Sequence, residues 1–135
     1  MMNIQDTDRE AGAVAVAPRV TLADLEAKIG AVYHTDGRIA VGQNAAVSDS
    51  EKVTLSLLSI CIIVMRNGFT IIGKSAPASA ANFNMELGRK LAYDDALKQA
   101  WAFEGYVLRE KLIGFPPLET DEGAGPCTVG QSHHE

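Results

Sequence analysis

"TLSLLSICIIVMRNGFTIIGKSA", residues 54–76, decides the fold of this chain. Its first half is rich in β-branched residues and short for a helix, so it reads as a strand. Asn67-Gly68 follows, the strongest short-range hairpin signal, because both residues tolerate positive φ. "FTIIGKSA" then returns as the second strand, giving an antiparallel hairpin near 54–75. "LSLLSICIIVM" has too little polar alternation for a strand wet on one side, so both of its faces call for cover. A hairpin with one or two helices supplies little of it, and the cheapest further cover is a second copy of the chain. A homo-oligomer is therefore expected.

Downstream, Pro77 ends the sheet and Ser79 or Asn82 can cap a helix. No proline occurs from Asn82 to Leu112, and Leu87, Leu91, Leu97, Trp101, Leu108 and Leu112 recur near helical spacing. The pattern predicts one long helix, or two joined near residues 98–105, stopped by "GFPPLE". Upstream, "TLADLEAKIGAVY" predicts a helix with Thr21 as N-cap, Leu22, Leu25 and Ile29 on one face, and Gly30 at its end. "HTDGR" reads as a turn. Residues 36–52 read as a loop with room for a short strand near Arg38 to Val41. Residues 1–19 and the acidic 116–135 read as flexible tails around a single α+β domain at 20–115.

The chain has 135 residues, 47% of them apolar, and a formal charge of -5, which fits one globular domain. The acidity lies in the flanks: between Val53 and Leu118 seven basic side chains outweigh five acidic ones. That is too little positive surface to displace the counterions of duplex nucleic acid, but enough for a small anion. Two cysteines make no disulfide framework, and Cys61 in its apolar run reads as a buried thiol. The N-terminus lacks the basic start of a signal peptide, and the longest apolar run, 11 residues, is half of what a bilayer needs. A soluble cytoplasmic protein without membrane partners is expected.

One stretch stands out as a ligand site. Phe83, between Asn82 and Asn84, falls at a predicted helix start, where free N–H groups favour an anion and an aromatic ring offers a stacking face. Arg89 and Lys90 follow within two turns, Tyr93 lies close to the same face, and Arg109 is available from a folded-back or neighbouring helix. Taken alone, the spacing equally describes a stapled and capped helix with solvated arginines, which is the commoner arrangement.

Catalytic patterns are missing. Asp94 and Asp95 are adjacent and point about 100° apart on a helix, no serine sits in a nucleophile elbow, and "GKS" at 73–75 lacks the rest of a phosphate loop. Cys127 with His133 and His134 is a poor metal set, because a structural site holds four ligands rigidly. No metal, no cofactor and no enzyme activity are expected. Trp101, Phe103 and Tyr106, amid the leucine spacing, read as core or subunit interface.

Three pieces occur in order: Asn67-Gly68-Phe69 with Gly73-Lys74-Ser75-Ala76, then Asn82 to Lys90, then Trp101 to Glu110. Over residues 20–112 this combination resembles a family of small tailed-phage proteins of the gp-forty-nine type, although Pro77-Ala78 departs from the family's usual bend. Some members of that family are type-one Thoeris anti-defence sponges. These assemble as hexamers built from dimers and sequester cyclic ADP-ribose-type signals without cleaving them, and some also hold cyclic di- or trinucleotides. The resemblance implies adenine stacked on Phe83, polar contacts from Asn82 or Asn84, and Arg89 and Arg109 at the pyrophosphate from two subunits. It implies Tyr93 at the pocket border and action in the cytoplasm of an infected bacterium. The alternatives are a phage accessory protein that binds a host protein with no small ligand, and, more weakly, a nucleotide hydrolase.

Overall fold

The computed structural model describes residues 3–15, 17–43 and 46–114. Five helices and three strands follow one another as α1 (Ile4–Val14), α2 (Leu22–Lys28), β1 (Ile29–Asp36), α3 (Gly37–Val41), α4 (Asp49–Ser56), β2 (Ser59–Met65), β3 (Thr70–Ser75) and α5 (Met85–Ile113). The strands form one antiparallel sheet in the order β1-β2-β3. The fold is α+β, with the long α5 laid across one face of the sheet.

The hairpin forms where the sequence puts it, with Ile62 opposite Ile72 and Ile63 opposite Ile71. Its turn differs from the expected one. Only Gly68 takes positive φ, at 91°, and the loop is the three residues Arg66 to Gly68. It is closed by the Met65 N–H donating to the Phe69 carbonyl at 2.8 Å and the Gly68 N–H to the Met65 carbonyl at 2.9 Å. Asn67 contributes through its side chain, which accepts from the Phe69 N–H at 2.9 Å.

The first strand starts later than its apolar run. Thr54 to Ser56 belong to α4, which Ser48 and Glu51 open with a reciprocal capping box, and β2 begins at Ser59. The segment 36–52 is correspondingly no simple loop: Gly37–Val41 is a short helix, not a strand, capped by Asp36. "HTD" of the expected turn is the end of β1, a third strand that the composition hides. Thr21 caps α2 as expected, with its own capping box to Asp24. That helix stops at Lys28, and Gly30 marks instead the register shift where β1 joins β2. A helix, α1, occupies much of the stretch expected as an N-terminal tail. Asn3 caps it, Ile4 is buried, and Asp8 ties it to Arg19 at 2.9 Å and to the Leu22 N–H at 3.1 Å. The expected C-terminal tail, with Cys127, His133 and His134, lies outside the described residues.

The core is built by β2, β3, α2 and α5. Cys61, Ile63, Met65 and Ile71 point to one side and meet Leu25, Ala92, Ala96, Leu97 and Ala100. α5 is a single helix of 29 residues. Its contact with the sheet runs through Gly88, Ala92, Ala96 and Ala100 rather than through the leucines. Small residues every fourth position let the helix axis sit low, and Gly73 completes the fit: a Cβ there would lie 2.2 Å from the Ala92 carbonyl oxygen. Leu87 and Leu91 fall beside the contact and are left exposed. Trp101 is half-buried and donates from Nε1 to the Val20 carbonyl at 3.1 Å, which clamps the entry to α2.

Among the described residues the opposite face of the sheet has no such cover. Tyr33, Ile62 and Ile72 lie side by side across the three strands, and Tyr33 and Ile72 are 59% and 60% exposed. Burial alternates strictly along β2, with Ile60, Ile62 and Val64 only partly covered. The two edges also differ. On β3, the Asp95 carboxylate accepts from the Lys74 N–H at 3.0 Å and Gln99 donates to the Ile72 carbonyl at 2.7 Å, so α5 occupies backbone groups that an added strand would need.

Candidate functional site

Pro77 turns the chain out of β3, and Ser79 caps a single 3₁₀ turn at Ala80–Asn82. Phe83 follows in extended conformation, and Asn84 caps α5 by accepting from the Leu87 N–H at 3.0 Å. The two asparagines therefore divide the work: Asn82 ends the short turn and Asn84 starts the long helix. Phe83 lies half-buried in a cleft of about 90 Å³ with Pro77, Asn82, Asn84, Leu87 and Leu91. That volume is too small to enclose a nucleobase, so the cleft offers a surface to stack on. The Asn84 Oδ1 is taken by the cap, which leaves its amide N–H groups, and the exposed Asn82, to meet a ligand.

The other expected residues sit elsewhere on α5. Arg89 is exposed on the side towards β1, where it and, more strongly, burial push the His34 imidazole below its usual value. Tyr93 packs against the core on the α2 side. Burial first, and then the Glu26 carboxylate, push its phenol up. Neither residue lines the Phe83 cleft. Arg109 is exposed near the far end of α5; at 1.5 Å per residue it lies roughly 37 Å along the axis from Asn84. α5 does not fold back, so one chain cannot bring Arg109 to Phe83. Asn82, Phe83 and Asn84 are brought together, and Arg89, Tyr93 and Arg109 are not joined to them within the protomer.

What the same side of α5 does bring to Phe83 is a second hollow of about 350 Å³, between α5, the start of α1 and the edge of β3. Ser75, Leu87 and Leu91 line both hollows, so the two are neighbours. Lys74, Lys90 and Lys98 line the second one. Asp94 lies there too, its carboxyl pushed up by burial against the opposing pull of Lys90 and Lys98. Lys74 and Ser75 come from the "GKS" that fails as a phosphate loop, and no spacing rule on α5 points to them. Only the pairing of β3 with α5 does.

A third hollow, about 500 Å³ and largely apolar, lies at the hairpin tip among Met65, Phe69, Ala100, Phe103 and Val107. Phe69 and Phe103 meet edge to face there with centroids 5.3 Å apart, and Lys28 pairs with Glu104 at 2.6 Å on the rim. Cys61 is buried, and burial raises its thiol pKa, which fits a structural rather than a reactive cysteine. Among the described residues no three His, Cys, Asp or Glu side chains gather as a metal site. No helix among them is long and apolar enough to cross a membrane.

The model of the phage protein (N4 Gp49/phage Sf6 gene 66) family matches residues 20–112. The chain belongs to this family. The matched span of this Gp49-type phage protein runs from the entry of α2 almost to the end of α5. It therefore includes the sheet, the Phe83 cleft and all three lysines, and leaves α1 outside. No curated protein and no solved structure matches the chain.

Proposed function

We propose that this Gp49-family protein is a non-catalytic sponge, acting in the cytoplasm of an infected bacterium, that holds a cyclic nucleotide immune signal of the cyclic ADP-ribose type without cleaving it. The observation that carries the reading is the Phe83 cleft: a half-buried aromatic ring, flanked by two asparagines, at the start of a 29-residue helix whose N-terminal dipole favours an anion. Sequestration needs tight binding in a preformed site and no chemistry, and α5, laid along the sheet, gives the cleft a rigid wall. Cyclic di- or trinucleotides are further candidate ligands of the same chemistry.

Assembly belongs to the same reading. The apolar sheet face with Tyr33, Ile62 and Ile72 lacks a partner among the described residues, and a second copy is the proposed one. Arg109 cannot reach Phe83 of its own chain, so any contact it makes with the same ligand comes from a neighbouring protomer.

The test is retention. The protein is incubated with glycocyclic ADP-ribose, freed of unbound ligand, and heat-denatured, and the supernatant is assayed. Intact ligand in near-stoichiometric amount is expected. A cleaved product would make the protein a hydrolase. No retained glycocyclic ADP-ribose and no retained cyclic di- or trinucleotide would refute the sponge and favour the second reading, a phage accessory protein that uses its exposed apolar sheet face on a host protein.

A further inference from the structure

We infer that two copies of the chain join edge to edge along β1, antiparallel about a twofold axis at Tyr33, so that two three-stranded sheets become one sheet of six strands. The inference extends the assembly reading above to a second surface, distinct from the open sheet face, and does not depend on what the Phe83 cleft holds.

The direction in which each strand residue bonds follows from the ladders. The Gly37 N–H donates to the Leu58 carbonyl at 3.0 Å, one step beyond the Asp36–Ser59 pair, so Thr35 and Tyr33 also turn their backbone groups to β2. Val32 and His34 therefore turn theirs away from the sheet. The other ladder agrees: the Met65 N–H donates to the Phe69 carbonyl at 2.8 Å, so Ile63 and Cys61 bond to β3, and Ile72 and Lys74 bond outward. Those outward groups of β3 are the ones that α5 engages, through Gln99 at 2.7 Å and Asp95 at 3.0 Å. On β1, no hydrogen bond among the described residues engages the N–H or carbonyl of Val32 or His34. Devices that blunt an edge are also missing from its middle. Val32 to Thr35 contain neither proline nor lysine, the bulge lies at the start between Ile29 and Ala31, and the Asp36 carboxylate is used to cap α3.

A second copy of β1 fits this edge because the pattern is its own complement. With Tyr33 on the axis, Val32 lies opposite His34 of the partner subunit, and the two exchange both of their backbone hydrogen bonds. The register also uses the whole strand, since Gly30 falls opposite the partner's Asp36. Side chains follow the same order. Ile72, Ile62 and Tyr33 stand opposite one another within the sheet, and Tyr33 meets its twin across the axis at a non-hydrogen-bonded pair. Six apolar side chains then form one row, roughly 24 Å long at about 4.8 Å per strand. Size is the remaining argument. One face of three strands is roughly 14 Å by 24 Å, or about 340 Å², against about 800 Å² per partner in a standard interface. Edge pairing doubles that face to about 680 Å². A few edge hydrogen bonds or one small sheet face is too little alone, so the two contacts form together.

The experiment cross-links the full chain in a Cys127→Ser background, which leaves the buried Cys61 as its one native thiol. Tyr33→Cys and Thr35→Cys each add a thiol on the same sheet face. In the proposed register position 33 meets its twin within disulfide reach. Position 35 lies roughly 14 Å from its own twin along the strand, beyond the limit of about 7 Å between Cα atoms. After mild oxidation, Tyr33→Cys is expected to run almost wholly at twice 14.4 kDa on a non-reducing gel, and Thr35→Cys to stay at 14.4 kDa. His34→Pro removes an outward N–H and no bond to β2. It is expected to sediment as the 14.4 kDa monomer at a concentration where the parent is assembled, with an unchanged circular dichroism spectrum. Equal cross-linking at both positions, none at position 33, or a folded His34→Pro protein that still assembles overturns the inference. Should His34→Pro not fold, the cysteine pair decides alone. Retention of glycocyclic ADP-ribose is read separately: a sponge without cross-linking loses only the edge contact, and cross-linking without retained ligand loses only the sponge.

Discussion

Replacing Gly73 by alanine places a methyl group where the structure has no room. The added Cβ would stand 2.2 Å from the Ala92 carbonyl oxygen and 2.5 Å from the Ala96 nitrogen, and both are backbone atoms of α5 that no side-chain rotation can move. Ordinary contact begins near 3.4 Å, so the helix must lift by roughly 1.2 Å. A gap of that size forfeits a quarter to a half of the dispersion energy along the contact, on top of an overpacking cost of about 1–3 kcal/mol. At least about 2 kcal/mol of destabilisation is expected, or a melting point lower by about 8 °C. Gly105→Ala in the same helix is the opposite case. Nothing lies within 4 Å of its Cβ position, and the change removes only the helix cost of glycine, so it is expected to stabilise by about 1 kcal/mol. Thermal and urea unfolding of both variants, at one fixed protomer concentration, measure the pair. A Gly73→Ala protein that melts within about 2 °C of the parent would refute the close seating of α5 on β3. With it would go the hollow that this seating creates.

The remaining predictions concern binding, assembly and acid. Phe83→Ala removes the stacking surface and is expected to weaken retention of glycocyclic ADP-ribose by about tenfold or more, with the sedimentation profile unchanged; unchanged retention would misplace the site. Ile72→Lys places a charge in the middle of the open sheet face, at a position 60% exposed in the protomer, and is expected to convert an assembled parent into a 14.4 kDa monomer by analytical ultracentrifugation. A parent that is itself monomeric at micromolar concentration would sink the idea that a second copy covers this face. Asp8 is held below the usual carboxylate range, first by its hydrogen bond to Arg19 and then by the Leu22 N–H. Its depressed folded-state pKa means that its share of stability is fully present above its unfolded value, about 3.9, and is lost as pH falls through the folded value. Amide protection in α1, taken relative to the intrinsic exchange rate at each pH, is therefore expected to fall selectively below about pH 4, and in Asp8→Asn already at neutral pH; protection independent of both would leave α1 held by other contacts.

The candidate site was half legible in advance, and its two halves differ in kind. Asn82, Phe83 and Asn84 are neighbours in the chain, so a helix-start pattern finds them together wherever the helix goes. Lys74 and Lys90 come to line one hollow only by the pairing of β3 with α5, across fifteen intervening positions, and nothing local marks them. Arg89 and Tyr93 lie within three turns of the helix start and so share its neighbourhood in the sequence. Their rotation about the axis sends them instead to the β1 and α2 side.

Locally encoded features need no tertiary context. The Asn67-Gly68 turn, the Thr21 cap and the proline-free run that becomes α5 are each set by backbone preferences over a few residues, and each forms where the sequence alone puts it. Ser48 and Glu51 carried a capping-box signal of the same kind for α4, hidden only by the β-rich run that follows. β1 had no such signal. As an edge strand with none of its residues buried, it is held by its ladder to β2 rather than by its own pattern. The seated face of α5 was likewise undecidable from periodicity, because leucines and small residues both recur at helical spacing. The close approach at Gly73 and Gly88 selects the alanines, since only they let the helix sit low enough to bury Leu97 and Ile63 completely.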